Sequence, residues 1–234
     1  MGHRRIWPTS NTICVSVLSG VVSANLQGAG GSGLNFMKKI GMVLLVLSSL
    51  AVAQSRPVRG GHDIEIWAGG GHGVTGRTSD TGVFNAGLRY GWVLTRPHGP
   101  GFLRGNFEYA VDAVPLFLVF QPSGTAYGAA INPLNMKWDF ATRGRVVPYL
   151  ELSGGTLFTA EEVPLGTSKV NFTSGGAIGM HVLGSERNVS VELRYMHISN
   201  AGLTVPNPGV NTIQVRLGLG MFFHGKHAPR RGAP

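Results

Sequence analysis

The sequence predicts an all-β fold, an eight-stranded antiparallel transmembrane β-barrel of the bacterial outer membrane, and three observations carry that expectation. An export signal precedes the main body of the chain. From His62 onward, apolar and polar residues alternate with period two in eight segments, separated by clusters of Gly, Pro, Asn and Ser. The polar faces of those segments carry acids and bases that can pair inside a narrow barrel. Composition agrees: 13% charged and 43% hydrophobic residues with 36 glycines are unlike a soluble enzyme. A single apolar run near residue 45 excludes a bundle of membrane helices.

Taken in order, residues 1–36 show no periodicity and read as a spurious N-terminal extension of the gene. Met37-Lys38-Lys39 opens a charged region, Ile40 to Leu50 is almost all apolar, and Ala51-Val52-Ala53 is a small-x-small cleavage site before Gln54. Residues 37–53 are therefore expected to be a signal peptide, residues 54–223 the barrel domain, and 224–234 a basic tail. The formal charge of +9 invites a nucleic-acid reading. Residues 1–53, however, hold Arg4, Arg5, Lys38 and Lys39 and no acid, which leaves 16 basic against 11 acidic groups in the mature chain. Lys226, Arg230 and Arg231 sit in the tail, so no nucleic-acid partner is expected. Cys14 is the only cysteine, so the mature protein has no disulfide, thiolate ligand or thiol nucleophile.

The strands are expected at about 62–69, 81–95, 102–120, 125–141, 146–160, 169–183, 189–200 and 211–223. Several exceed the roughly 9–11 residues that a tilted strand needs to cross a bilayer. In the second, Phe84, Ala86, Leu88, Tyr90, Trp92 and Leu94 share one face and Asn85, Gly87, Arg89 and Gly91 the other. In the seventh, Val189, Val191, Leu193 and Tyr195 oppose Glu192 and Arg194; in the eighth, Ile213, Val215, Leu217, Leu219 and Met221 oppose Gln214 and Arg216. A soluble sandwich would bury the apolar faces, and a barrel turns them to lipid. The barrel pairs Glu65, Glu108, Asp112, Glu151 and Glu192 with Arg89, Lys137, Arg194 and Arg216 in its interior. Trp67, Trp92, Trp138, Phe222 and Phe223, near strand ends, are expected to form interfacial girdles. The connections at 96–101, 142–145 and 184–188 are short, as periplasmic turns should be, whereas 121–124 is short although external. Gly69 to Gly73 reads as a flexible external loop, because no helix follows to make it a phosphate cradle. His72, His98 and His181 have no metal-ligand spacing, and no metal is expected.

The stretch Tyr195-Met196-His197-Ile198-Ser199-Asn200 carries the chemistry. His197 and Ser199 are two apart, so their side chains share a strand face, with the parity of Val191, Leu193 and Tyr195. That face looks outward, near the outer end of an upward strand, at the level of lipid headgroups. An imidazole within reach of a hydroxyl is the minimum arrangement for base-activated nucleophilic attack.

The continuation His-x-Ser-Asn-Ala-Gly, followed by Pro206-Asn207-Pro208-Gly209 and Asn211, resembles the signature of the outer-membrane lipid A 3-O-deacylases, the PagL-type family. The resemblance covers about fifteen residues around His197–Asn211 and is otherwise architectural. It implies that Ser199 is the nucleophile and His197 the general base, with Asn200 as an oxyanion donor and Asn207 as a second candidate. It implies an acyl-serine route without a cofactor, and lipid A, or lipopolysaccharide, in the outer leaflet as partner; a homodimer is also open. One departure stands out: Asn211 occupies the position where the family has Glu. An amide oxygen can hold the imidazole in one tautomer but cannot offset an imidazolium charge. Glu161 or Glu162 in the preceding external loop is a candidate substitute acid. The alternative expectation is a catalytically lapsed barrel that binds lipid A or has a structural role. A small pore is a third, which the low strand number disfavours.

Overall fold

The computed structural model describes residues 53–54 and 56–224. The expected extension over 1–36, the export signal up to residue 52 and the tail from residue 225 lie outside the described residues. The eight strands are β1 (Gly61–Thr75), β2 (Gly82–Val93), β3 (Gly105–Gln121), β4 (Gly124–Phe140), β5 (Val146–Thr159), β6 (Val170–Leu183), β7 (Asn188–Ser199) and β8 (Val210–His224). Each pairs antiparallel with the next, and β8 pairs with β1 to close the barrel. Ala53–Gln54 adds a short pairing to Phe223 and Phe222 beyond the end of β7. Among the described residues no helix is long and apolar enough to cross a membrane, and the crossing is made by strands.

Alternation sets the two surfaces. Outward residues such as Leu88, Leu152, Ile178, Val215 and Leu217 are exposed, whereas Arg89, Glu151, Glu192, Arg194 and Arg216 are buried. The expected pairs form one continuous interior chain. Arg89 binds Asp112 through Nε at 2.7 Å and Glu151 through Nη1 at 2.6 Å. Glu151 also meets Arg194 Nη2 at 2.5 Å, and Arg194 Nε meets Glu192 at 2.7 Å. Arg216 extends the chain to Asp112 at 3.4 Å and Glu65 at 3.6 Å. Nearer the terminal end, Lys137 lies 3.1 Å from Glu108 and 3.5 Å from Asp63. Toward the opposite end the interior is apolar: Val114, Phe117, Leu157, Met196, Ile198 and Val163, the last supplied by the 160–169 connection, form a buried cluster.

Three expectations are corrected. Gly69 to Gly73 is not a loop: β1 continues to Thr75, paired with β2 through His72 and with β8 through Gly73. Ladder hydrogen bonds are made by the backbone, so a glycine run with neighbours on both sides needs no side-chain periodicity. Trp67 and Phe222 are not girdle residues, because both are buried inside the barrel. Trp67 shares the parity of Asp63 and Glu65 and lies under the Arg216 guanidinium, 3.9 Å from its ring centroid. Its ladder partner Gly87 leaves it room; a Cβ there would lie 2.7 Å from the indole Cζ2. The β2–β3 connection is also longer than expected, spanning 94–104 with a 3-10 segment at Gly101–Leu103. Pro115 and Pro133 fall at register shifts in β3 and β4, where the ladder does not need their missing N–H.

Arg89 neutralises two buried carboxylates at once. Arg89→Met is expected to lower the unfolding free energy by about 3–5 kcal/mol, since Glu151 would keep only Arg194 and Asp112 only the 3.4 Å contact with Arg216. Urea titration of tryptophan fluorescence in liposomes measures this; a change within error would mean the interior pairs contribute nothing to stability.

Candidate active site

β7 rises to Ser199 and β8 descends from Val210, so the 200–209 connection brings the two halves of the motif side by side. The ladder register pairs His197 directly with Asn211. His197 and Ser199 are half-buried on the outward face, between the buried Met196, Ile198 and Asn200. Their parity follows from the alternation that exposes Val191, Leu193 and Tyr195.

His197 Nδ1 and Asn211 Oδ1 are 2.7 Å apart. An amide oxygen can only accept, so this contact assigns the proton to Nδ1 and leaves the Nε2 lone pair free. The same Oδ1 accepts from Tyr195 Oη at 2.7 Å. Tyr195, which spacing alone did not single out, therefore helps to orient the amide: a phenol donating to the oxygen favours the rotamer that turns oxygen, not NH₂, toward His197. Among the described residues no hydrogen bond joins Ser199 Oγ to His197; such contacts are often loose before substrate binds.

The two asparagines of the connection play different parts. Asn200 is buried, and its Nδ2 donates to Thr204 Oγ1 at 2.7 Å and Thr204 O at 3.2 Å. Its Oδ1 accepts the Gly202 N–H at 2.8 Å. The side chain braces the loop, with Ala201 (φ 53) and Gly202 (φ 82) in left-handed conformation beside it. Asn207 is exposed, and its Oδ1 accepts the Asn200 N–H at 3.2 Å, which leaves Nδ2 uncommitted among the described residues. Glu162 is tied into its own connection, where Oε2 accepts the Gly166 N–H at 2.9 Å. The third partner that the ring meets is Asn211 and not this acid.

Gly209 completes the imidazole's surroundings. Its φ is +65°, and a Cβ there would lie 2.8 Å from His197 Cε1. Both the backbone conformation and the close approach demand glycine. The Gly209 carbonyl accepts from Thr78 Oγ1 at 2.9 Å, which ties the site to the β1–β2 connection. Below the site, an apolar groove of about 710 Å³ crosses the outer wall. It starts at Tyr195 and Ile213, passes over Gly176, where no side chain fills the wall, and reaches Leu150, Leu152 and Met136.

A family model described as lipid A 3-O-deacylase (PagL) matches residues 86–220. The matched segment runs from β2 into β8 and takes in His197, Ser199, Asn207 and Asn211. Among solved structures, the outer membrane enzyme PagL is similar at 19% identity with a TM-score of 0.52, over 66% of this chain and 97% of that one. The outer membrane protein OprG from Pseudomonas aeruginosa is similar at 13% identity with a TM-score of 0.46, over 73% of this chain and 99% of that one. No curated protein sequence matches the chain.

The contact between Gly209 and the imidazole gives a test of the site's packing. Gly209→Ala is expected to keep the heat-modifiable gel migration of a folded barrel while shifting the His197 ring resonances in ¹³C-histidine NMR. Unmoved resonances would mean that residue 209 does not set the ring's position.

Proposed function

The chain belongs to the lipid A 3-O-deacylase (PagL) family of the bacterial outer membrane, and on that premise we propose that it is an esterase that removes the 3-O-linked acyl chain of lipid A. The observation that carries this reading is the 2.7 Å contact between His197 Nδ1 and Asn211 Oδ1, on an outward face shared with Ser199. With the proton held on Nδ1, Nε2 takes the Ser199 hydroxyl proton as Oγ attacks the ester carbonyl. The tetrahedral oxyanion is met by Asn207 Nδ2, a role that suits the uncommitted amide better than the loop-bracing Asn200. His197 then returns the proton to the leaving sugar hydroxyl. Water, activated by the same imidazole, cleaves the acyl-serine and releases the fatty acid. The groove from Tyr195 past Gly176 gives the acyl chain a bed that descends toward the hydrocarbon core.

Asn211 motivates the second reading, a barrel that binds lipid A without turnover. Replacing the acid of a Ser-His-acid site by an amide lowers kcat by on the order of 10⁴ in the serine-protease template, partly through the wrong tautomer. Here Tyr195 counters the tautomer part of that loss, because it helps to hold the amide oxygen toward Nδ1. It does nothing for the missing charge.

Mass spectrometry of lipid A from cells that express residues 37–234 separates the two readings. Loss of one hydroxyacyl group is expected in the wild type, no loss in Ser199→Ala, and faster loss in Asn211→Glu, by up to on the order of 10⁴. An intact wild-type spectrum with activity in Asn211→Glu would establish the lapsed reading. Silence from all three would sink the esterase.

Tyr195 is tested by background. Tyr195→Phe is expected to lower deacylation roughly tenfold in the wild type and much less beside Asn211→Glu, since a carboxylate accepts from either oxygen. Equal losses in both backgrounds, read as initial rates in mixed micelles, would refute the orienting role.

A further inference from the structure

The β2–β3 connection is built unlike the other two turns at the terminal end of the barrel. Residues 94–104 contain the Gly101–Leu103 3-10 segment. Trp138, on the lipid-facing side of β4, donates its Nε1–H to Leu103 O at 3.1 Å, and its ring meets that of His98 edge-on with centroids 4.8 Å apart. The connection therefore lies against the outer wall. At its tip Phe102 is 88% exposed and Leu103 46% exposed. Arg96 and Arg104, both exposed, flank this apolar tip.

The neighbouring wall identifies the depth. Phe223, His62, Tyr90, Trp92 and Tyr109 form a run of ring contacts across β8, β1, β2 and β3, with centroids 4.7–5.8 Å apart. An aromatic belt of this kind marks the boundary between hydrocarbon and headgroups. Just beyond it, the other turns add Arg143, Arg145 and Arg187, with Glu186 as the sole acid of the three turns. The connections at the opposite end hold Arg77 and Lys169 against Asp80, Glu161 and Glu162. Among the described residues the ion pairs all lie inside the barrel, so the turn arginines have no carboxylate partner there.

We propose that the 94–104 connection is a docking element for anionic phospholipid headgroups in the leaflet at the terminal end, with Phe102 and Leu103 entering the acyl region and Arg96 and Arg104 holding the phosphate diester. The planar guanidinium matches phosphate oxygens two at a time. A headgroup without its own cation leaves that charge for the arginines, so phosphatidylglycerol is preferred over phosphatidylcholine. The proposal rests on the barrel's orientation, with both termini in the periplasm, and not on chemistry at His197.

Native mass spectrometry of the detergent-purified barrel, mixed with equal amounts of phosphatidylglycerol and phosphatidylcholine, tests it. The wild type is expected to retain phosphatidylglycerol preferentially. Arg96→Gln with Arg104→Gln is expected to weaken that retention roughly 30-fold, from about fivefold per arginine. The Lys counterparts are expected to restore part of it, and Phe102→Ser to weaken both lipids alike. All three substituted positions are exposed, and heat-modifiable migration checks that each variant is folded. Equal retention of the two lipids, or no effect of the Gln pair, overturns the proposal. So does loss of bound phosphatidylglycerol to soluble peptidoglycan fragments, which would assign the arginines to the cell wall.

Discussion

A strand that crosses hydrocarbon must find every backbone hydrogen-bond partner within its own chain, and the remainder of this structure follows from that requirement. The β8–β1 ladder removes the last open edges and fixes eight registers together. Once registers are fixed, period-two alternation leaves no freedom: a residue either meets lipid or enters a narrow interior. Arg89, Glu151 and Arg194 enter, so they must find one another, and the chain from Glu192 through to Glu65 draws on six of the eight strands. The same alternation places His197 and Ser199 on the outside, one residue away from the buried Ile198.

Most of this was legible in the sequence because the signal is local. Leu88 beside Arg89 and Glu192 beside Leu193 declare two faces without knowledge of any partner. Where the signal needs a side chain that glycine lacks, as in Gly69 to Gly73, alternation cannot announce the strand. Trp67 and Phe222 misled for the opposite reason: aromatic residues near strand ends suit a girdle, but their parity with Asp63 and Gly220 sends them inward. At the candidate site, spacing and a motif point to His197, Ser199 and Asn211. Thr78, Gly209 and Tyr195 were not assigned roles, since their contacts depend on register. The Thr78–Gly209 bond joins connections 131 residues apart, and nothing in either segment announces the other.

In the proposed mechanism, the amide at position 211 divides the work of an acid with a neighbour. A carboxylate orients a histidine and balances its charge; an amide does the first only when it is turned the right way. Here Tyr195 and His197 both reach the same oxygen at 2.7 Å, one residue along the strand's outer face from the other. Orientation and charge compensation are thereby separated into two physical tasks, of which the site has residues for the first.

The apolar layer of Val114, Phe117, Leu157, Val163 and Ile198 closes the barrel's interior beneath the outer connections. A catalytic face on the outer wall of such a plugged cylinder is reached sideways, through the plane of the membrane. For the proposed reaction the governing concentration is a mole fraction in two dimensions, and the volume of the surrounding solution drops out. Diluting the host leaflet with inert lipid would slow the encounter, while diluting whole membranes in buffer would leave it untouched. Michaelis behaviour in such a system belongs to a surface, and its half-saturation point is a composition.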